Sequence, residues 1–121
     1  MAQSVKISQA GISAAASNAI TGDSATGLTA TGSTQATALL LGATVNMVAT
    51  VAAATGVLVP PGNSGDEFFV YNAGANTLNV YPPVGATINS GAANAAFTLA
   101  TTVGGVFKFA NATALMAVRS A

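Results

Sequence analysis

The chain has 121 residues with three Lys or Arg against three Asp or Glu, so its formal net charge is zero and only 5% of positions are charged, where an ordinary soluble domain carries roughly 25%. Ala (28), Thr (15), Gly (13), Ser (9) and Asn (9) dominate, and the large aliphatic and Phe residues number only 29. With no His, Cys or Trp and three carboxylates, the side chains that nucleophilic and acid–base chemistry draws on are nearly missing, which argues against an enzyme. Lys6, Lys108 and Arg119 stand singly and do not supply the several phosphate contacts that hold a protein on nucleic acid. No cysteine means no disulfide and no thiolate metal site, and no metal or other cofactor is expected. The opening MAQSVKISQAGIS lacks a basic start followed by an apolar run, and no secretory signal is read there.

Residues 1–32 are small and polar, with Val5, Ile7, Ile12, Ile20 and Leu28 as isolated aliphatic groups. Such a segment cannot bury a core of its own. It reads as a disordered leader or as an extended arm whose aliphatic residues dock on a partner, with a short helix over 13–19. Within it, Gly22 and Gly27 have the spacing of a phosphate loop, but no Lys-Ser/Thr follows to meet the phosphates, and the motif is discounted.

The remaining residues, 33–121, read as one β-rich domain. The stretch 36–59 runs 24 positions without a charge, long enough to span a bilayer as a helix. Asn46, the Thr and Gly interruptions and the lack of flanking Lys or Arg argue against that reading. Two strands fit better: Val45, Met47, Ala49 and Val51 alternate with Asn46, Val48 and Thr50, and Gly56 turns the chain into Val57-Leu58-Val59 before Pro60-Pro61. Segment 65–81 reads as a hairpin, Phe68-Phe69-Val70-Tyr71 returning as Leu78-Asn79-Val80-Tyr81 through Asn72, Gly74 and Asn76. Pro82-Pro83 closes it, because proline cannot donate to a ladder. Strands are expected around Ile88 and over 97–100. A second hairpin runs from Val106-Phe107-Lys108-Phe109 to Leu115-Met116-Ala117-Val118 through Asn111-Ala112-Thr113; the glycosylation-like match there is read as turn chemistry.

Seven to nine short strands at near ten-residue spacing make the expected fold all-β, a small sandwich or barrel of antiparallel strands with an extended N-terminal arm. The candidate core or subunit interface is Val45, Phe68, Val70, Leu78, Val80, Phe107 and Phe109, within a sparse core that also takes in Leu39, Leu41, Val51, Leu58, Phe97, Leu99, Leu115 and Val118. Asp66-Glu67 is too small a pair for a metal and reads as a loop cap beside a strand edge. Tyr71 and Tyr81 could form a platform for a sugar or base, although strand aromatics more often pack across strands. An extended, nearly uncharged β surface invites further pairing, which is explained if copies of the chain or a larger assembly already occupy it.

The segment from Val70 to Asn89 reads V-x-N-A-G-x-N-x-L-N-V-Y-P-x-x-G-x-x-I-N. With the GDSATGLTATGSTQATALLL lead-in and the closing hairpin, it resembles small tailed-bacteriophage and prophage virion proteins over most of residues 20–118. The resemblance implies a non-enzymatic β-rich particle component, most like a head decoration (cement) protein that forms homotrimers and binds the major capsid protein on the outer capsid surface. Val5, Ile7, Ile12 and Ile20 would then be the capsid-contact arm. A tail or tail-fibre module presenting the loops at 62–65 and 91–94 to a host glycan, and a small membrane-inserted protein using 36–59, are the alternatives.

Overall fold

A computed structural model describes Ser13 and residues 22–120. These residues form ten strands: β1 (Ser24–Thr29), β2 (Leu39–Leu40), β3 (Val45–Thr50), β4 (Gly56–Leu58), β5 (Glu67–Asn72), β6 (Leu78–Tyr81), β7 (Thr87–Ile88), β8 (Phe97–Leu99), β9 (Gly104–Asn111) and β10 (Ala114–Arg119), with a single 3-10 turn at Gln35–Thr37. The protein is all-β. The span 36–59 becomes β2, β3 and β4, and no helix among the described residues is long and apolar enough to cross a membrane.

Two sheets are formed, one of six strands in the order β1-β3-β5-β9-β10-β7 and one of four in the order β2-β4-β6-β8. The first six strands alternate between them, so the chain winds as three stacked coils: β1 to β2, β3 to β4, β5 to β6. Ser24 pairs with Val45 and Val45 with Phe69, so successive coils advance by 21 and then 24 residues. Parallel neighbours need a long crossover, and here the strand in the opposite sheet provides it where many folds use a helix. The expectation of antiparallel strands throughout is therefore corrected: β1·β3, β3·β5, β2·β4, β4·β6 and β7·β10 are parallel, and only β5·β9, β9·β10 and β6·β8 are antiparallel. The architecture is a solenoid-like stack closed at one end by a hairpin.

The expected hairpin over 65–81 is also corrected. β5 lies in the six-stranded sheet and β6 in the four-stranded one, so Asn72, Gly74 and Asn76 form a corner between sheets. Asn72 is fully buried there. Its Nδ2 donates to the carbonyls of Asn76 and Leu99 (2.8 and 2.9 Å) and its Oδ1 accepts from the Gly74 N–H at 2.9 Å, which consumes the whole amide and pins the corner. A Cβ on Gly74 would come within 2.7 Å of Val51, so only glycine fits where this corner meets the coil before it. The second hairpin forms as read: β9 and β10 pair antiparallel, and Asn111 Oδ1 accepts from the Thr113 N–H and hydroxyl at 2.9 and 3.1 Å.

The core lies between the sheets. Fully buried Val48, Val70 and Phe107 face Val57, Val59, Leu78, Val80 and Leu99. The Phe68 ring stacks on Phe107 at 5.0 Å, Phe97 meets Phe107 edge-on at 5.6 Å, and Phe109 lies 6.3 Å from Phe68. Such ring pairs add about 0.5–1.5 kcal/mol each beyond their buried area, which matters in a small core whose other members are mostly Val and Leu. Residues 24–29, inside the span read as an arm, are the edge strand β1. The helix read over 13–19 lies outside the described residues apart from Ser13.

Candidate functional site

A strand sends alternate side chains to opposite faces, so whatever does not enter the core of the six-stranded sheet stands on its outer surface. In β3 the residues turned inward are Asn46 and Val48, both fully buried, and those turned outward are Val45 and Met47. Val45, read as core or subunit interface, therefore stands outside the core, on the outer surface. In β10, Leu115 and Ala117 are buried while Met116 and Val118 face out, which corrects Val118 in the same way. Phe68, Val70, Leu78, Val80, Phe107 and Phe109 all lie in the core.

The outward residues are cross-strand neighbours. Val45 pairs with Phe69, Phe69 with Val106 and Val106 with Val118, a continuous apolar row over four strands. Beside it Met47 pairs with Tyr71, and Tyr71 with Gly104. The third row is Glu67, Lys108 and Met116. Exposure along this face is 38% at Val45, 39% at Met47, 43% at Val106, 57% at Met116 and 73% at Val118. Of the seven large hydrophobic residues exposed among the described residues, these are five; of the other two, Leu40 stands on β2 of the smaller sheet and Val84 in the β6–β7 connection.

Gly104, the first residue of β9, shapes the Tyr71 end of the face. A Cβ there would lie 2.7 Å from the Phe69 ring and 3.2 Å from the Tyr71 ring, so both rings settle over bare backbone and are half-buried. The outer face therefore has no side chain between those two rings and the β9 backbone at Gly104. Its charges are one of each sign, Lys108 Nζ standing 3.7 Å from a Glu67 carboxylate oxygen. Both side chains are about half exposed, so water screens the pair and it contributes little stability.

The other candidates resolve into structural roles. Tyr81 lies in the four-stranded sheet and donates its hydroxyl to the Ser33 carbonyl at 3.3 Å, so it makes no platform with Tyr71. A cleft of about 450 Å3 has Asp23, Asp66 and Glu67 on its walls, with Leu41, Phe68 and Phe109 among its apolar lining. Asp23 accepts from the Thr44 N–H at 3.1 Å and Asp66 from the Asn63 N–H at 2.9 Å, so Asp66 is a loop cap while Glu67 stands on β5 facing Lys108. Among the described residues no group of three acidic, His or Cys side chains is placed to hold a metal. Arg119 donates to the Thr98 carbonyl at 2.9 Å and sits 4.5 Å over the Phe97 ring, tying the last strand to the smaller sheet. The phosphate-loop-like Gly22 to Leu28 runs into β1, a strand rather than a helix start. Val5, Ile7, Ile12 and Ile20 lie outside the described residues.

The sequence reading missed the outer face because it counted apolar residues such as Val45 and Val118 toward the interior. In β3 the alternation puts Asn46 and Val48 on one side and Val45 and Met47 on the other, and it is the side carrying the Asn that is buried. Compared with protein-family models, with curated proteins and with solved structures, the chain matches none. The class it belongs to is accordingly defined by its own architecture, an all-β stack of strand coils with one apolar outer face.

Proposed function

We propose that this chain is a structural component of a tailed-bacteriophage particle, a decoration protein that strengthens the head by binding between major capsid protein subunits. The observation that carries the reading is the outer face of the six-stranded sheet. Contiguous exposed apolar surface on a soluble-sized domain marks a place where another macromolecule sits, and a chain with almost no charge lets identical copies crowd without repulsion. The likeness of Val70 to Asn89 to virion proteins supplies the context, and self-association, a trimer by that likeness, belongs to it. Many weak contacts of one small protein over a repeating lattice add through multivalency, which requires no active site.

In this reading the protein is made in the host cytoplasm and resides on the outer surface of the capsid, with Val5, Ile7, Ile12 and Ile20 as arm residues that contact it. A tail or tail-fibre module is the second reading, favoured by the exposure of Asn63 to Gly65 and Gly91 to Asn94; it places glycan recognition in those loops. Separating purified particles into heads and tails and quantifying the chain by mass spectrometry decides between them. Hundreds of copies on heads are expected, and a few copies confined to tails would overturn the decoration role. Deleting residues 1–20 should leave the β-sheet circular dichroism intact while abolishing attachment; retained attachment removes the arm from the account.

A further inference from the structure

We propose that the outer face of the six-stranded sheet is where two copies of this chain pair, sheet against sheet, across a two-fold axis. The inference rests on the assembly reading above for self-association alone: it gives the outer face to a second copy, leaves capsid contact to the N-terminal residues, and puts a pair in place of the trimer of that reading. Three features of the face point to a second copy as its occupant.

The first is the shortage of any other apolar surface to match it. Five of the seven exposed large hydrophobic residues among the described residues stand on this one face, while Leu40 stands on the smaller sheet and Val84 in the β6–β7 connection. A contact between unlike patches needs a second apolar surface of comparable extent, whereas a two-fold contact uses the same patch twice. A three-fold ring needs two differently directed surfaces, so a single sheet face selects the pair over the trimer implied by the resemblance.

The second is charge. The face carries Glu67 and Lys108 side by side and no unbalanced ionic group in the rows between Val45 and Val118, so a copy laid on it meets no net repulsion and leaves no lone charge buried. The third is extent. The open parts of Val45, Met47, Val106, Met116 and Val118 amount to roughly 400 Å2, at the size where patches on monomers are already functional. Doubled, and with Phe69, Tyr71 and the outward Ala49 and Ala110 included, the buried total reaches about 1,000 Å2, the lower bound for a specific interface. Two such faces pack at about 10 Å with strands near −30°, as the sheets of a sandwich do, giving four layers in the pair.

The test is sedimentation equilibrium of the full chain, with Val118→Glu and Leu40→Glu as variants and circular dichroism as the check on folding. Both sites are exposed in the single chain, so both variants keep the β spectrum. The expected result is a mass of two chains at tens of micromolar, with pairing weakened at least tenfold by Val118→Glu and unchanged by Leu40→Glu. A monomer at every concentration, a trimer, or equal sensitivity to both variants would overturn the proposal. Because these outcomes are read on isolated protein, they are independent of whether the chain is found on heads, which tests the assembly reading separately.

Discussion

The first two coils and the part of the molecule from β5 onward are built by different pairing rules. From β1 to β4 every ladder is parallel, the strands contain no aromatic residue, and the buried side chains are Ala30, Leu41, Asn46, Val48, Val51 and Val57. From β5 onward the three antiparallel ladders appear, and all five Phe residues lie on β5, β8 and β9. A parallel coil must close a loop of 20 or so residues before its first ladder bond forms, while the β9–β10 hairpin closes through Asn111 to Thr113 at once. Local contacts form at lower entropic cost, so the aromatic, hairpin-bearing end is the natural foundation on which the Ala- and Val-rich coils stack. β10 is also covered past the end of its short partner β7: Asn89 Nδ2 donates to the Ala117 carbonyl at 3.0 Å and its Oδ1 accepts from the Ala117 N–H at 2.8 Å, so one side chain stands in for a continuation of β7 along β10.

The sharpest way to break this contrast is to remove its aromatic centre. Phe107→Ala should cost about 3–5 kcal/mol, a large part of the 5–15 kcal/mol that holds a small domain. Val48→Ala in the parallel part should cost nearer 2 kcal/mol, since fewer methyl groups leave water-free packing; urea denaturation of both gives the ratio. A midpoint shift as large for Val48→Ala would mean the coils, and not the aromatic end, hold the fold.

The two buried asparagines offer a second comparison. Asn72 uses both ends of its amide, whereas Asn46 donates to Ala43 and Phe69 carbonyls at 2.8 and 3.2 Å but leaves its Oδ1 without a partner. Asn72→Ala strands three backbone groups and should destabilise by about 2–4 kcal/mol, and Asn46→Ala, which also relieves a buried unpaired oxygen, by about 1 kcal/mol. Thermal melts monitored by circular dichroism would rank them; the reverse order would mean the corner at Asn72 is pinned by packing instead.

Smaller effects probe the edge and the surface. Asn89→Ala should lower stability by about 1 kcal/mol and, more tellingly, speed hydrogen exchange at Ala117 while leaving Phe107 protected. Glu67→Gln should shift the melting midpoint by no more than the few tenths of a kcal/mol of an exposed ion pair, and a large drop would show that Lys108 is held by more than water-screened attraction.

How much of this was legible beforehand differs from element to element. The breaks at Pro60-Pro61 and Pro82-Pro83, strands near 45–51, 57–59 and 97–100 and the closing hairpin could all be read, because proline geometry and turn chemistry act over a few residues, although Gly56, read as a turn, opens β4. The corner at Asn72 to Asn76 carried the same turn residues as a hairpin, yet its strands separated into two sheets. Nothing local distinguishes those outcomes; what decides is whether β5 finds β3 and β9 as neighbours. The outer face was hidden for a related reason. Val45, Met47, Met116 and Val118 are apolar, and an apolar residue in a strand is assigned inward by default.

By itself, then, the sequence determined an all-β chain, nearly uncharged and poor in catalytic side chains, with its strand limits set by Pro, Gly and Asn. Only the tertiary structure decided which strands became neighbours and which face of each was buried. Alternation has a period of two and reads the same when the strand is turned over, so where both faces carry Val, Met, Ala or a hydrogen-bonded Asn, the choice falls to the packing of distant residues around Phe68, Phe97 and Phe107.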